Sequence, residues 1–87
     1  MSPPVRFVTW TNEAILAAAS LAPQRRRLLE LLDTLADFPA MYPRRQRGRY
    51  AGLRYFVLAR RWLVYYRADE TGRIMIFAIV PARGRPR

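Results

Sequence analysis

The chain has 87 residues, 52% of them hydrophobic, which is the size of one small domain and enough apolar material for a core. Cysteine and histidine are both absent, so a disulfide framework, a thiolate nucleophile and the commonest metal ligand and general base are excluded, and neither a metal nor a cofactor is expected. The formal net charge is +10 and lopsided: residues 1–43 set four arginines against four carboxylates, residues 44–87 set twelve against two, and lysine does not occur.

Residues 5–10 read as a short strand of β-branched and aromatic residues. Thr11 then has the chemistry of a helix N-cap and Glu13 that of a first-turn acid, so a first helix is expected through Ile15, Leu16 and the alanines to about Leu21. Pro23 stops it and suits the first turn of a second helix. There Leu28, Leu31, Leu32 and Leu35 recur at i, i+3, i+4 and i+7, an apolar stripe facing a core. Arg25, Arg26 and Arg27 sit at that helix's N-terminus, where the macrodipole disfavours cations.

Residues 37–50 form a connector with two prolines, a glycine and four arginines. Three strands follow. Residues 53–59 put Leu53, Tyr55 and Val57 on one face and Arg54, Phe56 and Leu58 on the other. A tight turn at Arg60-Arg61 leads into residues 62–68, and Asp69-Glu70-Thr71-Gly72 makes a hairpin into residues 73–80. In this last strand Ile74, Ile76, Ala78 and Val80 alternate with Met75, Phe77 and Ile79; being apolar on both faces, it belongs inside the sheet. The expected architecture is α+β, strand–helix–helix–three-stranded meander. It is a single domain over residues 1–87, with 81–87 a basic tail and a mostly antiparallel sheet carrying a two-helix hairpin on one face.

Two helices cover only one face of such a sheet. The other would carry a share of Trp62, Leu63, Val64, Tyr65, Tyr66 and Phe77, a patch that small soluble monomers seldom leave in water. Either dimerisation or a partner chain across it is therefore expected, and the net charge favours an acidic partner. A GC-rich genome would account for arginine in place of lysine, but not for the net charge. The apolar runs at 14–19 and 74–80 fall far short of the roughly 20 residues that span a bilayer. No basic-then-apolar leader opens the sequence, so a cytoplasmic protein without membrane insertion is expected.

Four pieces in order resemble the RelE/ParE superfamily of bacterial type II toxin–antitoxin toxins, and the ParE branch more closely. Thr-Asn-Glu-Ala at 11–14 is similar to the family's helix-opening Ser/Thr-Pro-Glu-Ala. Leu-Ala-Asp-Phe-Pro-Ala-Met-Tyr-Pro at 35–43 resembles the exit from the second helix in the ParE branch. The stretch from Gly52 to Asp69 is similar to the family's Gly-Leu-Arg strand, turn and Tyr-Arg-containing strand, and residues 74–85 resemble its closing strand. The resemblance implies a toxin neutralised by a small acidic antitoxin. ParE-type members poison DNA gyrase without catalysis; RelE-type members cut messenger RNA on the ribosome.

RNA cleavage through the 2′-hydroxyl needs a base, stabilisation of the phosphorane and an acid. With histidine, lysine and cysteine missing and arginine always protonated, only tyrosines and six carboxylates can move protons. Those carboxylates map to helices or a hairpin tip, and none is expected to line a cleft on the sheet. By resemblance, a RelE-like site would use Arg54, Arg61 and Arg83, yet Trp62 stands where RelE-type toxins carry a catalytic arginine. The C-terminal helix and tyrosine of RelE also have no counterpart. Conversely, the first helix and the interhelix segment are shorter than in typical ParE-type sequences. On balance a gyrase-directed, non-catalytic toxin is favoured. A messenger-RNA endoribonuclease is the alternative, and a plain nucleic-acid-binding module a further one. Expected contacts to target or antitoxin are Arg54, Arg60, Arg61, Trp62, Tyr66, Arg83 and Arg85, with Arg44, Arg45, Arg47 and Arg49 as candidates for phosphate or an acidic partner.

Overall fold

The computed structural model describes residues 8–69 and 73–82. Strand β1 (Val8–Trp10) leads into helix α1 (Asn12–Ala18), a 3₁₀ segment (Ala19–Gln24) and helix α2 (Arg25–Asp37). Strands β2 (Arg54–Leu58), β3 (Trp62–Ala68) and β4 (Ile74–Pro81) follow the connector. The sheet order is β1-β4-β3-β2, with β4 parallel to β1 and antiparallel to β3, and β2 antiparallel to β3. This is the expected α+β arrangement, with the wholly apolar strand inside the sheet. Residues 5–7 of the expected first strand and 70–72 of the expected hairpin lie outside the described residues.

Thr11 caps α1 as its sequence suggests: its Oγ1 accepts the Ala14 amide at 3.1 Å and donates to the Phe77 carbonyl at 2.6 Å. Such a cap contributes about 1 kcal/mol. The helix is shorter than expected, ending at Ala18 rather than near Leu21, and Pro23 falls in the 3₁₀ segment rather than in α2. The physical reason is local, since Pro23 has no amide hydrogen to close an α-helical bond and the preceding turn tightens instead. In α2 the stripe behaves as its spacing requires: Leu28, Leu32 and Leu35 are buried and Leu31 packs beside them. Each buried leucine contributes about 1.5–3 kcal/mol relative to exposure. They meet Phe56, Leu58, Val64, Tyr66, Ile74, Ile76 and Ile79 from the sheet.

The strict alternation expected for β4 is interrupted. Tyr66 pairs with Ile76 but Tyr65 pairs with Ala78, so Phe77 is an extra residue, a β-bulge. Beyond it the faces exchange: Ile79 joins Val64 in the core, while Ala78 and Val80 turn away with Tyr65 and Leu63. Trp62, Val64 and Tyr66 thus lie on the helix side. The second face is also less bare than expected, because the connector folds over it. Tyr50 stacks on Tyr65 at 4.3 Å between ring centroids, and Tyr65 is left only 3% exposed. A loop of the same chain covers the middle of this face; Val57 and Met75 remain open at its margins.

Candidate functional site

Arg54 begins β2 opposite Tyr66 and points to the helix side. Its Nη1 donates to the Tyr42 carbonyl at 2.6 Å, and the Tyr66 hydroxyl donates to the Pro39 carbonyl at 3.0 Å. Together they fasten the exit from α2 to the sheet. The aromatic stack of Tyr42 on Phe56, 5.0 Å between centroids, closes the same corner. Burial pushes the Tyr66 phenol up to about 12, only partly offset by the nearby Arg54 charge. In the isolated chain Tyr66 is fully buried and Trp62 packs, partly buried, against the core. The two-residue period of β3 places both on the packed side of the sheet.

Arg60 and Arg61 belong to the β2–β3 turn, whose centre is Ala59-Arg60 rather than Arg60-Arg61. The Arg61 amide donates to the Leu58 carbonyl at 3.0 Å, and both central residues have positive φ, 54° and 60°. This is the geometry that glycine and asparagine favour, so two non-glycine residues hold the turn at a cost. Arg60→Gly is expected to raise the urea midpoint, with a stability gain of roughly 0.5–1 kcal/mol. A lower midpoint would mean that the Arg60 side chain makes stabilising contacts that outweigh the strain.

Arg44, Arg45, Arg47 and Arg49 are exposed, yet they do not form a loose solvated run. Tyr55 donates to the Pro43 carbonyl (3.1 Å), Arg45 to that of Leu53 (2.7 Å) and Gly52 to that of Arg45 (2.8 Å), with a bridge between Arg44 and Arg54. The segment is a hairpin laid along the outer edge of β2. Gly52, at φ 90°, supplies a left-handed turn in it that side chains disfavour. Two guanidiniums lie over rings, Arg45 at 5.9 Å from Tyr55 and Arg49 at 5.5 Å from Tyr50. The hairpin presents its charges on a defined basic and aromatic surface. Arg83 and Arg85 lie outside the described residues.

Sequence reasoning missed two carboxylates. Glu13 accepts the Tyr50 hydroxyl at 3.2 Å and lines a hollow of about 500 Å³ on the open face, beside Arg49, Arg67 and Phe77. Asp69 lines a second hollow with Thr9, Arg67 and Arg73. The expectation that no carboxylate lines a cleft on the sheet is therefore corrected. Glu13 was missed because nothing local to α1 reports where Tyr50 comes to rest. Among the described residues, no group of three or more acidic side chains is placed to hold a metal ion.

The helical hairpin has an outer surface of its own. Ile15, Leu16 and Leu29 are 53, 75 and 50% exposed, large values for such residues on neighbouring helices. Ile15 and Leu29 flank a groove of about 300 Å³ floored by Trp10 and Leu28, with Arg25 at its rim. No helix among the described residues is long and apolar enough to cross a membrane.

Residues 8–86 match the family model described as ParE toxin of type II toxin-antitoxin system, parDE, so the similarity takes in every strand and helix described above. No curated relative matches the chain.

Proposed function

The chain belongs to the ParE toxin family of type II toxin–antitoxin systems, whose toxins have a cognate antitoxin, and from that membership we propose that it arrests growth by docking on DNA gyrase in the cytoplasm without catalysis of its own. The observation that carries this choice over RNA cleavage is Arg54. Arg54, one of the three arginines that a RelE-like site would use, instead donates to the Tyr42 carbonyl at 2.6 Å on the helix side of the sheet, tying down the exit from α2. Two tyrosines are also poor bases near neutrality: burial holds Tyr66, and burial with the neighbouring Glu13 holds Tyr50, above the ordinary phenol range.

The antitoxin reading draws on charge and on exposed apolar surface. An acidic amphipathic segment would set carboxylates against Arg25 and Arg26 and apolar side chains against Ile15, Leu16 and Leu29. The proposed roles of Arg60, Arg61 and the Arg44–Arg49 hairpin as contacts to target or antitoxin agree with their exposure. Those of Arg83 and Arg85 rest on the sequence alone.

Induction of the chain without a partner should stop growth, raise DNA-damage signalling and trap gyrase on cleaved DNA, while messenger RNA stays intact. Primer extension is the opposing measurement: codon-phased cuts in translated messages would replace this reading with that of an endoribonuclease. Normal growth at full expression would remove the toxin activity from this chain altogether.

A further inference from the structure

We propose that the hollow on the open face of the sheet is a binding site for a guanine nucleotide. This goes beyond the toxin reading and does not depend on it. The hollow is a solvent-open depression of about 500 Å³, large enough for a nucleotide. Its lining combines two guanidiniums (Arg49 and Arg67), two aromatic rings (Tyr50 and Phe77) and one carboxylate (Glu13). Arg67 projects from β3 on the side away from the helices, opposite Met75, and has no acidic partner among the described residues. Arg49 lies 5.5 Å over the Tyr50 ring and 4.0 Å from a half-exposed Glu13, its own side chain largely exposed, so turning toward an anion exchanges a weak ring contact for a charged one. Two cations against one carboxylate leave the hollow net positive, which suits a phosphate.

The remaining groups select the base. Tyr50 is anchored from behind by its stack on Tyr65, so the aromatic wall is fixed before a ligand arrives. Glu13 is anchored as well, its Oε2 accepting the Tyr50 hydroxyl at 3.2 Å, and each carboxylate oxygen retains a lone pair for a second donor. A carboxylate can only accept. Guanine offers it two adjacent donors, N1–H and the exocyclic amine. Adenine and cytosine place a ring-nitrogen acceptor beside their amine, and uracil flanks its single N–H with two carbonyls. A free nucleotide and a guanine within a single strand share this chemistry.

The test is a titration of the full chain with GMP, AMP, CMP, UMP and inorganic phosphate at about 0.15 M salt, followed by amide chemical shifts. A hexanucleotide with one guanine and its guanine-free counterpart complete the set. GMP should bind about tenfold more tightly than the other nucleotides, with shifts centred on Tyr50, Arg67 and Phe77. Glu13→Gln, which can still accept the Tyr50 hydroxyl, should erase the preference for guanine while leaving phosphate-driven binding. Arg67→Ala should weaken every nucleotide about tenfold in a protein of unchanged melting temperature. Tighter binding of the guanine hexamer than of GMP would identify a strand as the ligand, and equal binding a free nucleotide; both uphold the site. Equal affinity for all four nucleotides, competition by phosphate alone, or a guanine preference that survives Glu13→Gln would overturn it.

Discussion

An Arg54→Met variant is expected to unfold roughly 8–16 °C below the parent chain, a loss of about 2 kcal/mol in a domain of this size. Methionine keeps most of the side-chain stem, so packing against the sheet is largely retained and the charged donor alone is removed. The Tyr42 carbonyl then loses its 2.6 Å partner in a half-buried corner, and the exit from α2 keeps the Tyr66–Pro39 bond and the Tyr42–Phe56 stack. Hydrogen bonds with an ionised partner contribute about 1.5–3 kcal/mol, which sets the size of the effect. Thermal and urea unfolding would be measured together. An unchanged denaturant slope with a lower midpoint would assign the loss to the native state. A melting temperature within about 2 °C of the parent's would show that Arg54 is dispensable for folding, and would return it to the list of contact residues. The same variant bears on toxicity assays: a loss of growth inhibition by any Arg54 substitution must be read against this loss of fold.

Alkaline pH should destabilise the protein through Tyr66. Its folded pKa of about 12 stands above the ordinary 10, because burial disfavours the phenolate. A group raised in the folded state contributes stability that is complete below pH 10 and is lost as the pH climbs toward 12, since the unfolded chain releases that proton first. After allowance for solvent screening the loss is on the order of 1–2 kcal/mol. Arginine does not titrate in this range, so the net charge of the sixteen basic residues does not confound the measurement. Urea midpoints between pH 8 and pH 11.5 should fall in the parent chain and fall less in Tyr66→Phe. Tyr66→Phe starts about 1 kcal/mol lower at neutral pH for want of the bond to Pro39. Tyr50, raised in the same direction, leaves a residual slope in both. Parallel slopes in the two proteins would contradict the assignment.

Short-range rules in the sequence determined a good deal. The leucine stripe of α2, the Thr11 cap and the apolar run of β4 each state their role within a few residues, because burial and capping follow periods of 3.6 and 2 and single side-chain chemistries. Order and spacing of those pieces were enough to recognise the family. The concentration of arginine after residue 43 likewise needed no structure to imply an acidic partner. Only the tertiary structure decided which way the functional side chains face. The bulge at Phe77 is invisible in an unbroken apolar run, since it is fixed by the pairing of β4 with β3 and flips every residue beyond it. Arg54 looks like any exposed strand arginine until the exit from α2 brings the Tyr42 carbonyl against it. Tyr50 and Glu13 are 37 residues apart, and their hydrogen bond exists only because the connector closes over the sheet. Contacts of that range depend on how the whole chain packs, and no local pattern of residue types encodes them.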